Sequence, residues 1–145
     1  MTTMAWKVVG TVLVIAETDV PPSDAEWRAF IADAIRFRSR VDEMRVLINT
    51  DGGGPNSAQR SLIKGAIGGK PFRSAVVSDA IKLRFIAAAI MLISKHHRSF
   101  TTREWQGAYE HLSLSAEERR SVETAVRELR AQLHQSALQE IATQK

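Results

Sequence analysis

The chain has 145 residues, 44% hydrophobic and 25% charged, with a formal net charge of +4 and a sequence pI near 9.9. Such a composition describes one globular domain with a core of its own and argues against disorder. With no cysteine, the chain can hold no disulfide, no thiolate metal site and no cysteine nucleophile.

The first residues, MTTMAWKVVGTVLVIAETD, have no basic run ahead of the apolar stretch and are interrupted by Lys7 and Gly10, so they do not read as a signal peptide. The longest apolar run, Phe85 to Ile93, falls far short of the ~20 residues a membrane span needs. The expectation is a cytoplasmic protein without a transmembrane segment. Basic residues are scattered: Arg36, Arg38, Arg40 and Arg45 form one group, and Lys95, His96, His97 and Arg98 another. Acids interleave with them and Tyr109 is the sole tyrosine, so the pattern lacks the stacking side chains and continuous basic face of a nucleic-acid surface. Nucleic acid is not the expected partner.

In chain order, Trp6–Val9 and Thr11–Ile15 predict two strands around a turn at Gly10, the second apolar enough to be buried on both faces. Pro21 and Pro22 stop extended structure, and Ser23 with Glu26 has capping-box spacing. The helix that follows, to about Arg40, places Trp27, Phe30, Ile31, Ala34 and Ile35 on one stripe and Arg28, Asp33, Arg36 and Arg40 opposite. Met44–Asn49 predicts a central third strand. After Asp51, Gly52, Gly53, Gly54 and Pro55, the pair Asn56/Gln59 caps a short helix through Ile67, closed by Gly68–Pro71.

Ser74–Val77 predicts a fourth strand, and Asp79 opens a helix with Lys82 and Arg84 in its first turns before it becomes apolar all round. A short edge strand is expected at Ser99–Thr102. A helix capped by Thr101/Glu104 follows, with Trp105, Ala108, Tyr109 and Leu112 on one face. Ser115/Glu118 caps a last helix whose Val122, Val126, Leu129 and Leu133 recur at spacings of four and three. That stripe either packs on residues 1–114 or pairs with a second copy, and a homodimer through it is expected. Beyond His134 the composition turns to Gln, Ser and Thr, and fraying is expected.

Strands alternating with helices predict an α/β fold with a mixed, largely parallel five-stranded sheet and an extra C-terminal helix over 115–145. The opening strand pair, the loop-to-helix junction after the third strand, and the final SFTTREWQGAYEHL resemble the STAS superfamily, specifically its SpoIIAA-like branch. Glu104, Ala108, His111 and Leu112 loosely echo that branch's last helix, with one spacing too long. The resemblance spans Trp6 to Leu112 and implies a regulatory module that binds a protein partner. Anti-sigma-factor antagonists of the superfamily carry a phosphorylated Ser or Thr directly after an Asp at the third strand's exit. Here Asp51 matches the Asp, and Gly52 to Asn56 intervene before Ser57. The resemblance thus marks Ser57 for phosphorylation.

The residues themselves mark one edge. Gly52, Gly53 and Gly54 let backbone approach a ligand, and a helix starting near Ser57, with Arg60 one turn in, points free amides at the same place. In a parallel sheet the exit of the fourth strand lies beside that of the third, adding Ser78, Asp79 and Arg84. Ser78 could equally be a helix cap. Together Asp51–Gly54, Asn56, Ser57, Arg60, Ser78, Asp79 and Arg84 form the candidate binding edge. It would serve a protein partner, or alternatively a small anionic or lipid-like ligand held by the glycine loop.

No cofactor is implied. His96 and His97 lack acids at metal-ligand spacing. Ser57, Asp79 and a histidine lack the G-x-S-x-G elbow of a hydrolase, so the expected function is non-enzymatic.

Overall fold

Five strands form one sheet whose spatial order, β1-β2-β3-β4-β5, is also their order along the chain. In the computed structural model, which describes residues 1–68, 72–81 and 96–144, β1 (Met4–Val9) and β2 (Val12–Glu17) make an antiparallel hairpin. Its turn uses Gly10 at φ +58°, a left-handed conformation that glycine adopts without strain. From β2 onward, β3 (Met44–Thr50), β4 (Phe72–Val77) and β5 (His97–Phe100) run parallel. The described helices are α1 (Asp24–Arg38), α2 (Ser57–Ile67), α3 (Trp105–His111) and α4 (Ala116–Thr143). The fold is therefore α/β with a mixed, largely parallel sheet, as the alternation of patterns predicts. The expected helix after Asp79, with Lys82, Arg84 and the run Phe85–Ile93, lies outside the described residues from Lys82 onward.

β2 shows why a strand can read as an unbroken apolar run. Val12, Val14 and Ala16 enter the core on one face, while Leu13 and Ile15 enter the core on the other. α1 covers the second face with Trp27, Phe30, Ala34 and Phe37, and Ile63 of α2 packs there too. Parallel strands laid side by side in sequence order put their crossover helices on one face when the crossovers share a hand. The α1 stripe is corrected in one respect: Ile35 is exposed, and Phe37 and Arg38 are buried in its place. Glu26 both closes the Ser23 capping box and accepts from Thr3 N, Thr3 Oγ1 and Met4 N. Partial burial works against its charge, but these hydrogen bonds outweigh it and hold the carboxyl below its usual range.

α3 and α4 cover the opposite face. Val122, Ala125, Val126, Leu129 and Leu133 pack with Ala5, Val12, Val14, Ala16 and Leu47, so the stripe with alternating spacings of four and three is buried on its own chain. No core boundary falls at Leu114, and the stripe expected to join two copies is already covered. α4 stays helical to Thr143 instead of fraying after His134, leaving Leu138 and Ile141 exposed.

Three capping boxes form as the spacing predicts, at Ser23/Glu26, Asn56/Gln59 and Ser115/Glu118. The Thr101/Glu104 pair does not cap α3. It closes a separate turn, Glu104 N donating to Thr101 O at 2.9 Å, and α3 begins at Trp105 without a side-chain cap. Asp79 pins that turn by accepting from Thr102 N and Oγ1 at 3.0 and 2.6 Å. β5 accordingly ends at Phe100, two residues before the expected Thr102.

α3 ends in a Schellman motif: Ser113 takes φ +54°, Leu114 N donates to Tyr109 O and Ser113 N to Glu110 O. Neighbouring residues Arg45 and Arg73 of β3 and β4 donate to the carbonyls of Leu112, Ser113 and His111, placing cations at the negative end of the helix. Arg45 also pairs with Glu118, fixing the start of α4 beside the end of α3.

Candidate functional site at the carboxyl edge of the sheet

Because β2 to β5 are parallel, their carboxyl ends meet at one edge. At the β3 exit Thr50 organises the loop, its hydroxyl accepting from Gly52 N at 3.1 Å and donating to Gly53 O at 2.7 Å. The loop is tied to the β2 exit by Asp51 N to Glu17 O (3.1 Å) and Gly53 N to Thr18 O (2.8 Å). Gly52 turns the chain at φ +129°. A Cβ on Gly53 would stand 2.5 Å from both Thr18 O and Val20 O, so only glycine lets the two backbones approach this closely.

α2 begins on this loop. Asn56 Oδ1 accepts from Gln59 N (2.9 Å), and Gln59 Oε1 accepts from Asn56 N (3.0 Å). Gln59 is buried because its Nε2 also donates to Pro22 O and Asp24 Oδ1, each at 3.0 Å, while its own carbonyl accepts from Trp27 Nε1. The start of α2 is thereby locked to the start of α1. Ser57, in the first turn, is exposed. Arg60 folds back over it, Nη2 to Ser57 Oγ at 3.1 Å and Nη1 to Pro55 O at 2.8 Å.

The β4 exit touches this loop: a Cβ on Gly52 would lie 3.4 Å from Ala80 Cβ. Ser78 is buried, its Oγ accepting from Ala80 N at 3.1 Å, so it shapes the turn and offers nothing to the surface. Asp79 is exposed and engaged with Thr102. The edge therefore presents Asp51, Asn56, Ser57, Arg60 and Asp79, with Gly53 and Ser78 buried beneath and Gly52 and Gly54 half-buried. Arg84 lies outside the described residues.

Two further residues of this edge are not apparent from the motif. Arg130 of α4 donates through Nη1 to Glu17 O at 2.7 Å and pairs through Nη2 with Asp51. No local pattern joins positions 79 residues apart. Glu17 closes the apolar β2 and is only 4% exposed. An acid ending a strand buried on both faces is the signal that could have marked it. Burial pushes its carboxyl from 4.5 up to about 7, and its Oε2 has no hydrogen-bond partner among the described residues. The folded chain therefore holds a proton that the unfolded chain releases between those values. Stability falls as pH rises from about 4.5 to about 7, by up to about 3 kcal/mol, and stays at the lower level above.

The chemistry on offer is limited. The amides of Asp51, Gly52 and Gly53 are all donated within the chain, so they do not form an open cradle for an anion. Among the described residues no group of three His, Asp or Glu side chains could hold a metal. His97 shares a hydrogen bond with Ser74 Oγ (2.6 Å) at the amino end of β4 and β5. His111 is half-buried against His96 O. Burial, with neighbouring cationic groups, lowers the pKa of both His97 and His111. A shallow groove of about 390 Å³ lies between β1 and α4, lined by Lys7, Val8, Arg120 and Thr124 among others. No described helix is long and apolar enough to cross a membrane.

Comparison of the chain with protein-family models, with curated proteins and with solved structures gives no match in any of the three.

Proposed function

We propose that this chain is a non-enzymatic regulatory or scaffold module of SpoIIAA-like type, acting in the cytoplasm and binding a protein partner through the edge from Asp51 to Arg60. The observation that carries this reading is the exposed Ser57–Arg60 turn on a loop whose Asp51, Gly52 and Gly53 amides are already donated within the chain. Exposed polar residues on a rigid support suit recognition of another surface. A carrier of a small anionic or lipid-like ligand would need loop amides free for the head group. Those of Asp51, Gly52 and Gly53 are spent, which favours the protein partner.

Ser57 is the point of control in this reading. A phosphate there would meet the amino end of α2 and Arg60, so the fold should tolerate it, while adding about two negative charges to the surface a partner meets. The test begins with a photocrosslinker replacing Ala58, to capture the partner on this edge, followed by its affinity for variants. Ser57→Ala and Ser57→Glu are both expected to stay folded. Ser57→Glu alone should shift binding by at least about tenfold, ~1.4 kcal/mol. Equal affinity for parent and both variants would make Ser57 a plain helix-start residue.

A further inference from the structure

Beneath the glycine loop lies a carboxyl group with no part in that reading. Glu17 follows Leu13 and Ile15 in the alternation of β2, so its side chain is on the face covered by α1. A Cβ built on Gly54 would lie 3.8 Å from Glu17 Oε2, the same oxygen that is buried without a partner. The carboxyl thus supports the loop from below, while the backbone of the same residue grips it: Glu17 O accepts from Asp51 N, and the next carbonyl, Thr18 O, accepts from Gly53 N. Gly52, with its positive φ, is the natural swivel of this layer.

Among the described residues, charged side chains of the packed elements are engaged elsewhere. Arg130 of α4 takes the carbonyl of Glu17 and the carboxylate of Asp51. From α1, Asp24 holds Gln59, and Glu26 holds Thr3 and Met4 of β1. Arg60 of α2 lies on Pro55 and Ser57, and Asp79 beyond β4 holds Thr102. None of these hydrogen bonds reaches the Glu17 carboxyl, whose buried Oε2 has no hydrogen-bond partner among the described residues. An ionised carboxylate is costly in such a place and is relieved by admitting water.

We propose that Glu17 is a proton-operated latch for the glycine loop: neutral, it stays seated under Gly54, and ionised, it draws in water, loosens the loop from the β2 exit and reshapes the edge that presents Ser57. The only covalent bond broken is the O–H, and the proton passes to solvent. This regulation rests on the reading of that edge as the partner surface. Burial brings the group's titration close to neutral pH, where ordinary changes in cellular pH can work it.

The test is an NMR titration of the full chain from about pH 5.5 to about 9, a range that brackets the shifted carboxyl. The side-chain carbon of Glu17 and the amides of Gly52, Gly53 and Gly54 should titrate together, with a midpoint of about 7. Solvent exchange of the Gly53 amide, corrected for its intrinsic pH dependence, should rise about tenfold across that midpoint. Both changes should vanish in Glu17→Gln. A Glu17 carboxyl titrating in the ordinary carboxylate range, loop amides that do not follow it, or a step that survives in Glu17→Gln would overturn the latch. If Glu17→Gln does not fold, the parent's carboxyl and amide titrations decide alone. A titrating loop on a chain whose partner crosslinks elsewhere would remove the partner reading and leave the latch. A partner crosslinked at the edge above a silent Glu17 would do the reverse.

Discussion

Gly53→Ala should destabilise the chain by about 3 kcal/mol or more, placing it among the severe single substitutions. Its Cβ would stand 2.5 Å from two carbonyl oxygens, those of Thr18 and Val20, and neither is the movable end of a side chain. The loop would have to lift from the β2 exit, giving up the Gly53 N to Thr18 O bond. The neighbours grade the effect. Gly52→Ala should cost about 1–2 kcal/mol through its positive φ alone. Gly54→Ala meets nothing closer than 3.8 Å and should stay within about 0.5 kcal/mol of the parent. Urea unfolding of the three variants measures this order. Gly53 and Gly54 variants that unfold alike would contradict it.

A chain ending at Leu114 should lose cooperative folding altogether. It would lack Val122, Ala125, Val126, Leu129 and Leu133, and so strip the cover from Val12, Val14 and Ala16 of β2. Burial of each Val or Leu is worth about 1.5–3 kcal/mol, so the four larger side chains together contribute about 6–12 kcal/mol, on the scale of a typical net stability of ~5–15 kcal/mol. The milder Leu129→Ala should cost about 2–5 kcal/mol in the full chain. Thermal melts followed by near-ultraviolet circular dichroism check both. A truncated chain with a sharp transition at the parent's temperature would show that α4 is an accessory to a domain complete without it.

What was legible in the sequence was local. The β1–β2 hairpin, the capping boxes of α1, α2 and α4, and the bounds Ser57–Ile67 follow from neighbours a few residues apart. What depended on distant partners was not. The spacing of Val122, Val126, Leu129 and Leu133 is the same for a helix on a sheet as for a helix on its copy, so only the fold reveals which face it meets. Thr101 and Glu104 have the spacing of a cap, yet Asp79 holds Thr102 in a turn and α3 starts later. In the candidate site the glycine loop and Ser57 announce themselves through turn and cap chemistry. Arg130 reaches Asp51 from another helix, and the fate of Glu17 follows from the loop closing above it.

The partner surface is tested most directly by photocrosslinking from two exposed positions on different faces. One crosslinker replaces Ala58, beside Ser57 on α2, and the other replaces Arg127, on the outer side of α4. In the source cell, with both variants folded and equally abundant, the position at Ala58 should give a discrete adduct with one protein. That adduct should weaken or strengthen when Ser57→Glu is added, and the position at Arg127 should not form it. The same adduct arising from Arg127 and not from Ala58 would contradict the account and move the functional surface to α4.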